Sequence, residues 1–140
     1  MPNFDLESAM QQFLLWEAAS RDTIDFKKIY VDMAEDLIAG LMLSQIIYWH
    51  LPDRNGQTKL RVERDDLQWL VKAQNEWWDE CRLTPKQIRR ARKILEDKGL
   101  IATAVYKFGG TPTTHIRIRW EVFLDLWNKT LYGQMDFDQR

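Results

Sequence analysis

"LTPKQIRRARKILEDKGLI", Leu83 to Ile101, opens with Thr84-Pro85-Lys86-Gln87 and closes with Lys98-Gly99-Leu100. The opening spells a helix start. Thr84 is the N-cap, Pro85 takes the first helical position where its missing N–H is no loss, and Gln87 completes a capping box. Gly99 supplies the left-handed residue that ends a helix, and Leu100 the apolar contact that accompanies such a stop. At 100° per residue, Ile88, Ala91, Ile94 and Leu95 share one side, Lys86, Arg89 and Lys93 fall on the other, and Arg90 and Arg92 lie on the flanks. A solvated helix face ordinarily mixes signs, because like charges at i,i+4 oppose the helix by roughly 0.2–0.5 kcal/mol. Positive charge in the first turn also opposes the helix dipole. Such a helix needs a counter-charge, either from carboxylates of the N-terminal half or from a polyanion outside the fold.

The flanking text places this helix in an order. Before it, "QNEWWDECRL" reads as a short helix carrying Trp77, Trp78 and Cys81; neighbours on a helix sit 100° apart, so one of the two Trp should be half exposed. After it, "LIATAVYKF" and "THIRIRW" are two β-rich runs around "GGTPT", which reads as a hairpin with a flexible tip. In the second run His115, Arg117 and Arg119 alternate with Ile116, Ile118 and Trp120, so one strand face is expected to pack and the other to stay basic. Lys107 and the hydroxyls of Thr111, Thr113 and Thr114 add donors suited to phosphate oxygens.

Charge divides in the same way. Ten Lys and Arg face two acids (Glu96, Asp97) from Arg82 to Arg119, a local +8; the remaining ten Lys and Arg and nineteen acids give −9, and the sum is the chain's −1. The local field near a face, not the net charge, steers and holds a polyanion.

Further upstream, residues 5–19 carry Leu6, Ala9, Met10, Phe13, Leu14 and Trp16 on one broad helical stripe behind an acidic first turn. This segment is expected to pack on the common core, a dimer-forming arm being the alternative. "TIDFKKIYVDM" is β-branched and partly alternating, which predicts a short strand or extended arm. Residues 34–50 form an apolar helix, too short at "LIAGLMLSQIIYWHL" for the roughly 20 residues that span a bilayer. Asn55-Gly56 marks a turn, and "TKLRVERDDLQWLVKA" predicts two short strands joined across "ERDD". "EVFLDLWNKTL" has helical spacing, and "YGQMDFDQR" reads as a frayed acidic tail.

Short helix, turn, capped basic helix and hairpin is the helix-turn-helix-wing order, in which the second helix enters a major groove. "LMLSQIIYWH", "QWLVKAQNEWWDECRLTPKQIRRARKILEDKGLIATAVYK" and "THIRIRW" together resemble the winged-helix domain of phage- and plasmid-encoded DNA-binding proteins, including replication initiators and DnaD-like replication proteins. The resemblance covers about residues 24–120. It implies an α+β, mainly α, winged helix-turn-helix, with residues 1–23 as an additional N-terminal helix and 121–140 as a C-terminal helix and tail. It places Lys86, Gln87, Arg89, Arg90 and Lys93 on the recognition helix and Lys107 to Arg119 on the wing. The DNA-binding set is then Lys86, Gln87, Arg89, Arg90, Lys93, Lys107, Thr111, Thr113, His115, Arg117 and Arg119. Two departures from the pattern follow: Ala73 replaces the usual Ser or Thr, leaving Asn75 as the expected cap, and Arg82 stands where the turn usually has Gly. The expected partner is double-stranded DNA, in replication or transcriptional control. The alternative is a phage-encoded inhibitor or adaptor gripping a host protein or ribonucleoprotein.

Other chemistry finds little footing. Gly109-Gly110 lacks the Lys and helix of a phosphate loop, and no Ser-His-Asp or Cys-His spacing has structural support. Cys81 alone forms no internal disulfide, and with His50 and His115 it cannot complete a four-ligand zinc site. No enzyme, cofactor or metal is expected. "MPNFDLES" is acidic and lacks the apolar core of a leader peptide, so a reducing, cytoplasmic setting and no membrane partner are expected.

Overall fold

The computed structural model describes residues 4–138. They form an α+β fold of six helices and two small antiparallel sheets: α1 Leu6–Ala19, α2 Lys28–Ala34, α3 Leu37–His50, β1 Val62–Arg64, β2 Leu67–Trp69, α4 Gln74–Cys81, α5 Pro85–Asp97, β3 Ile101–Phe108, β4 Thr111–Ile118 and α6 Trp120–Asp138. The core centres on α3, which buries Ala39, Gly40, Met42, Leu43, Ile46 and Ile47. Against it lie Ile88, Ala91 and Leu95 of α5, Trp77 and Cys81 of α4, Ile116 and Ile118 of β4, and Phe123 of α6. Each buried Leu, Ile, Met or Phe side chain among these stabilises the fold by about 1.5–3 kcal/mol.

The start and stop read from the sequence of α5 are both present. Thr84 Oγ1 accepts from the Gln87 N–H while Gln87 Oε1 accepts from the Thr84 N–H. At the other end Gly99 has φ 74°. Its N–H donates to Glu96 O, and the Leu100 N–H donates to Leu95 O, which satisfies two of the last carbonyls. Between α4 and α5, Arg82 is left-handed at φ 58°, a conformation costly for a residue with a Cβ. Its guanidinium offsets this by donating to Trp78 O at 2.9 Å and lying over the Trp78 ring.

The two expected hairpins form. β1 and β2 join through Asp65-Asp66, both with positive φ, and β3 and β4 through Gly109-Gly110, so Thr111 to Thr114 belong to the strand and not to a loose tip. A bridge between Leu70 and Ile116 lays the first hairpin against β4.

Four expectations are corrected. Residues 28–34 are a helix and not a strand, because Ile29, Tyr30, Met33 and Ala34 present one helical face to the core; only residues 20–27 are irregular and extended. Asn75 is not the cap of α4; Ala73 occupies that position without a side-chain hydrogen bond. Of the stretch expected as a frayed tail, residues 132–138 continue α6 to Asp138, while residues 139–140 lie outside the described residues. Finally, α1 does not pack on the core: none of its residues is buried.

Candidate functional site

The N-terminal end of α4, the exposed side of α5 and β4 enclose a cleft of about 310 Å³. Arg89 and Arg92 line it from α5, Gln74 from α4, and Thr113 and Thr114 from β4. The cap of α5 aims its first turn, and Pro112 and Thr113 hold the hairpin opposite. Ala73 and Gln74, at the start of α4, also line the cleft, and Ala73 offers no side-chain acceptor to the first amides of that helix.

The predicted residues separate into three groups. Lys86 and Arg89 are exposed on α5 and Lys107 on β3; together with the half-buried Arg117 they have no carboxylate within ion-pair distance among the described residues. Thr111 is exposed, and the half-buried Thr113 donates its hydroxyl to Thr111 O at 2.9 Å. The half-buried Gln87 spends its side-chain oxygen on the cap, so only its amide nitrogen is left for other partners.

A second group is already paired within the chain. Arg90 forms a two-pronged ion pair with Asp36, one prong being 3.1 Å from Nη1 to Oδ2. That hydrogen bond, helped by the Ala39 N–H, holds the Asp36 carboxyl below the usual carboxylate range. Lys93 sits 3.5 Å from Asp97, and Arg119 3.5 Å from Glu121, both pairs largely in solvent and individually worth about 0–1 kcal/mol. Arg90 is thus a strut between α5 and the start of α3, whereas Lys93 and Arg119 are only loosely held.

The third group is corrected outright. His115 is fully buried, so the expectation of a solvated basic face on β4 fails there. The first hairpin lays Trp69 on that face, and Trp69, Tyr106 and Phe108 surround the His115 ring. Its Nδ1 contacts Thr113 O at 2.9 Å, which requires the proton on that nitrogen. Arg117, on the same face, lies 5.5 Å over the Trp69 ring.

Two further arginines contribute that the sequence pattern does not mark. Arg92 was placed on a flank, yet it lines the cleft, donating to Thr114 Oγ1 at 3.2 Å and pairing with Glu96 at 3.5 Å. Arg64 donates to Lys107 O at 3.3 Å and thereby braces the hairpin near its tip. Their helical angle and strand position carry no signal of this, because the Thr114 and Lys107 partners are remote in sequence.

Among the described residues, no three His, Cys, Asp or Glu side chains are grouped to hold a metal ion, and no helix is long and apolar enough to cross a membrane. Cys81 is buried, its thiol donates to Trp77 O at 3.3 Å, and burial pushes its pKa up to about 11, the profile of an inert thiol. No protein-family model, curated protein or solved structure matches this chain.

Proposed function

We propose that the chain binds double-stranded DNA as a winged helix, with α5 as the recognition helix and the β3–β4 hairpin as the wing. The observation that carries the reading is the cleft and its rim: Arg89 lines it unpaired from a helix capped at both ends, opposite Thr113 and Thr114 of β4, and the exposed, unpaired Lys86 lies one turn earlier on the same helix. An exposed helix of this kind, with a hairpin alongside, suits a major groove and its flanking phosphates. In this reading Arg89 and Lys86 reach base edges or phosphates, Gln87 adds its amide nitrogen, and Lys107, Thr111 and Arg117 hold backbone. Arg90 acts through Asp36 by fixing the angle of α5, and His115 orders the wing from within.

The test is a titration of a duplex of about 20 base pairs at several salt concentrations. With four unpaired cations engaged, log K should fall against log salt with a slope of about −3 to −4. In the same assay Arg89→Ala should cost on the order of 1–3 kcal/mol and Arg117→Ala should weaken all sequences alike. A slope near zero would remove the electrostatic mechanism. Capture of an acidic protein that duplex DNA does not displace would favour the adaptor reading instead.

A further inference from the structure

Helix α1 is the least explained part of the molecule. It has an N-cap, Asp5 accepting from the Glu7 and Ser8 amides, yet among the described residues nothing covers it. Leu6 is 66% exposed, Met10 48%, Phe13 50%, Leu14 57% and Trp16 60%. An isolated helix of 14 residues is only marginally stable in water, so this one needs a surface against which to hold its shape. The basic cleft does not account for it. From Asp5 to Ser20 the chain has three carboxylates, Asp5, Glu7 and Glu17, and no Lys or Arg, which gives −3; a polyanion is repelled.

We propose that α1 is a self-association arm, its apolar stripe covered by the same stripe of a second copy of this chain. Large side chains offer roughly 150–250 Å² each, so five of them about half exposed present on the order of 500–600 Å² per copy. A two-fold pair that covered the whole stripe would bury on the order of 1,000–1,200 Å², just above the least a specific interface needs, which suits a weak, concentration-dependent pair. Self-pairing needs no further complementarity, since a two-fold contact uses one patch twice. In an antiparallel pair Glu17 of one copy approaches the positive helix end of the other, together with its Asp5 and Glu7. That contact between like charges is screened by salt, so the arm's association strengthens as ionic strength rises. Binding to duplex DNA responds in the opposite sense, which separates the two properties in one set of buffers.

Sedimentation equilibrium of the full chain between about 1 µM and about 100 µM tests this. The average mass should rise from the 16.8 kDa of one chain toward twice that value, and more readily at high salt. Met10→Glu with Phe13→Glu should weaken association at least roughly tenfold. Because no α1 residue is buried within one chain, the melting midpoint at about 1 µM, where single chains dominate, should stay as in the parent, showing an intact core. A single-chain mass at every concentration would overturn the assignment and leave the stripe to a different protein. Undiminished association of the double variant, or association that weakens with added salt, would overturn it equally.

Discussion

His50 shows how much one side chain can be asked to do when its surroundings decide its protonation. Its Nδ1 lies 2.8 Å from Ile46 O and its Nε2 accepts from the Ile118 N–H at 3.3 Å, so the neutral ring with the proton on Nδ1 satisfies both neighbours and ties α3 to β4. Burial holds its pKa below the ordinary 6.5, despite the carbonyl at Nδ1 that favours the cation. The folded state therefore binds the proton less readily than the unfolded chain, and the stability present above about pH 6.5 is lost as the pH falls below it. Urea midpoints should drop through this range in the parent chain. His50→Gln, which lowers stability at neutral pH, should flatten that part of the profile; an unchanged slope would mean that another group titrates. His115 and Arg90 make the complementary point. Their positions in basic text predict surface cations or donors, but one ring is enclosed by three aromatics and the other side chain is claimed by Asp36.

At the level of elements, signals confined to three or four residues were legible and those depending on a neighbour were not. The capping box and Gly99 stop of α5, the Asp65-Asp66 hairpin and the single exposed Trp of α4 all rest on local backbone chemistry. Helix α2 was misread because β-branched Ile29 and Val31 favour strands in isolation, whereas here the helix is imposed by packing on α3. Gly40 is the point of closest approach: a Cβ there would sit 2.6 Å from Val31 Cα. Gly40→Ala would raise intrinsic helix propensity by about 1 kcal/mol, yet the clash is with backbone and cannot be relieved by a side-chain rotation. Separating α2 from α3 should outweigh the gain, and the net effect should be a loss of about 1–2 kcal/mol, read as a lowered thermal midpoint.

At the level of the whole molecule, one carboxylate joins three segments. Glu80 Oε1 accepts from Gln45 Nε2 at 2.7 Å and Trp49 Nε1 at 2.8 Å, both on α3, and Glu80 Oε2 pairs with Lys72 just before α4. The Lys72 side chain is only 3% exposed and also lies 4.2 Å over the Trp49 ring. Glu80→Gln would leave that ammonium with Glu76 at 4.0 Å as its nearest carboxylate. A fully buried pair broken in this way costs about 3–5 kcal/mol; Glu80 is a quarter exposed, so about 2–3 kcal/mol is expected in chemical denaturation. Recovery of stability in a variant that also carries Lys72→Met would identify the stranded charge as the cause. The same network orients α4, and through the left-handed Arg82 it sets where α5 starts. The division of charge is a whole-molecule property too. The basic segment is partly neutralised at Arg90, Arg92, Lys93, Lys98 and Arg119, which leaves a smaller unpaired set than the local +8 suggests.

The sequence by itself determined where α5 begins and ends, that two hairpins flank the α4–α5 pair, and which side of α5 is apolar. Each of these follows from hydrogen bonds and side-chain spacing within a few residues, which the unfolded chain already carries. Only the tertiary structure decided that Trp69 would cover the His115 face, that Asp36 would take Arg90 across 54 positions, and that α1 would find no seat on the core. Those outcomes depend on which remote surface arrives opposite a given side chain, and no local periodicity encodes that arrival.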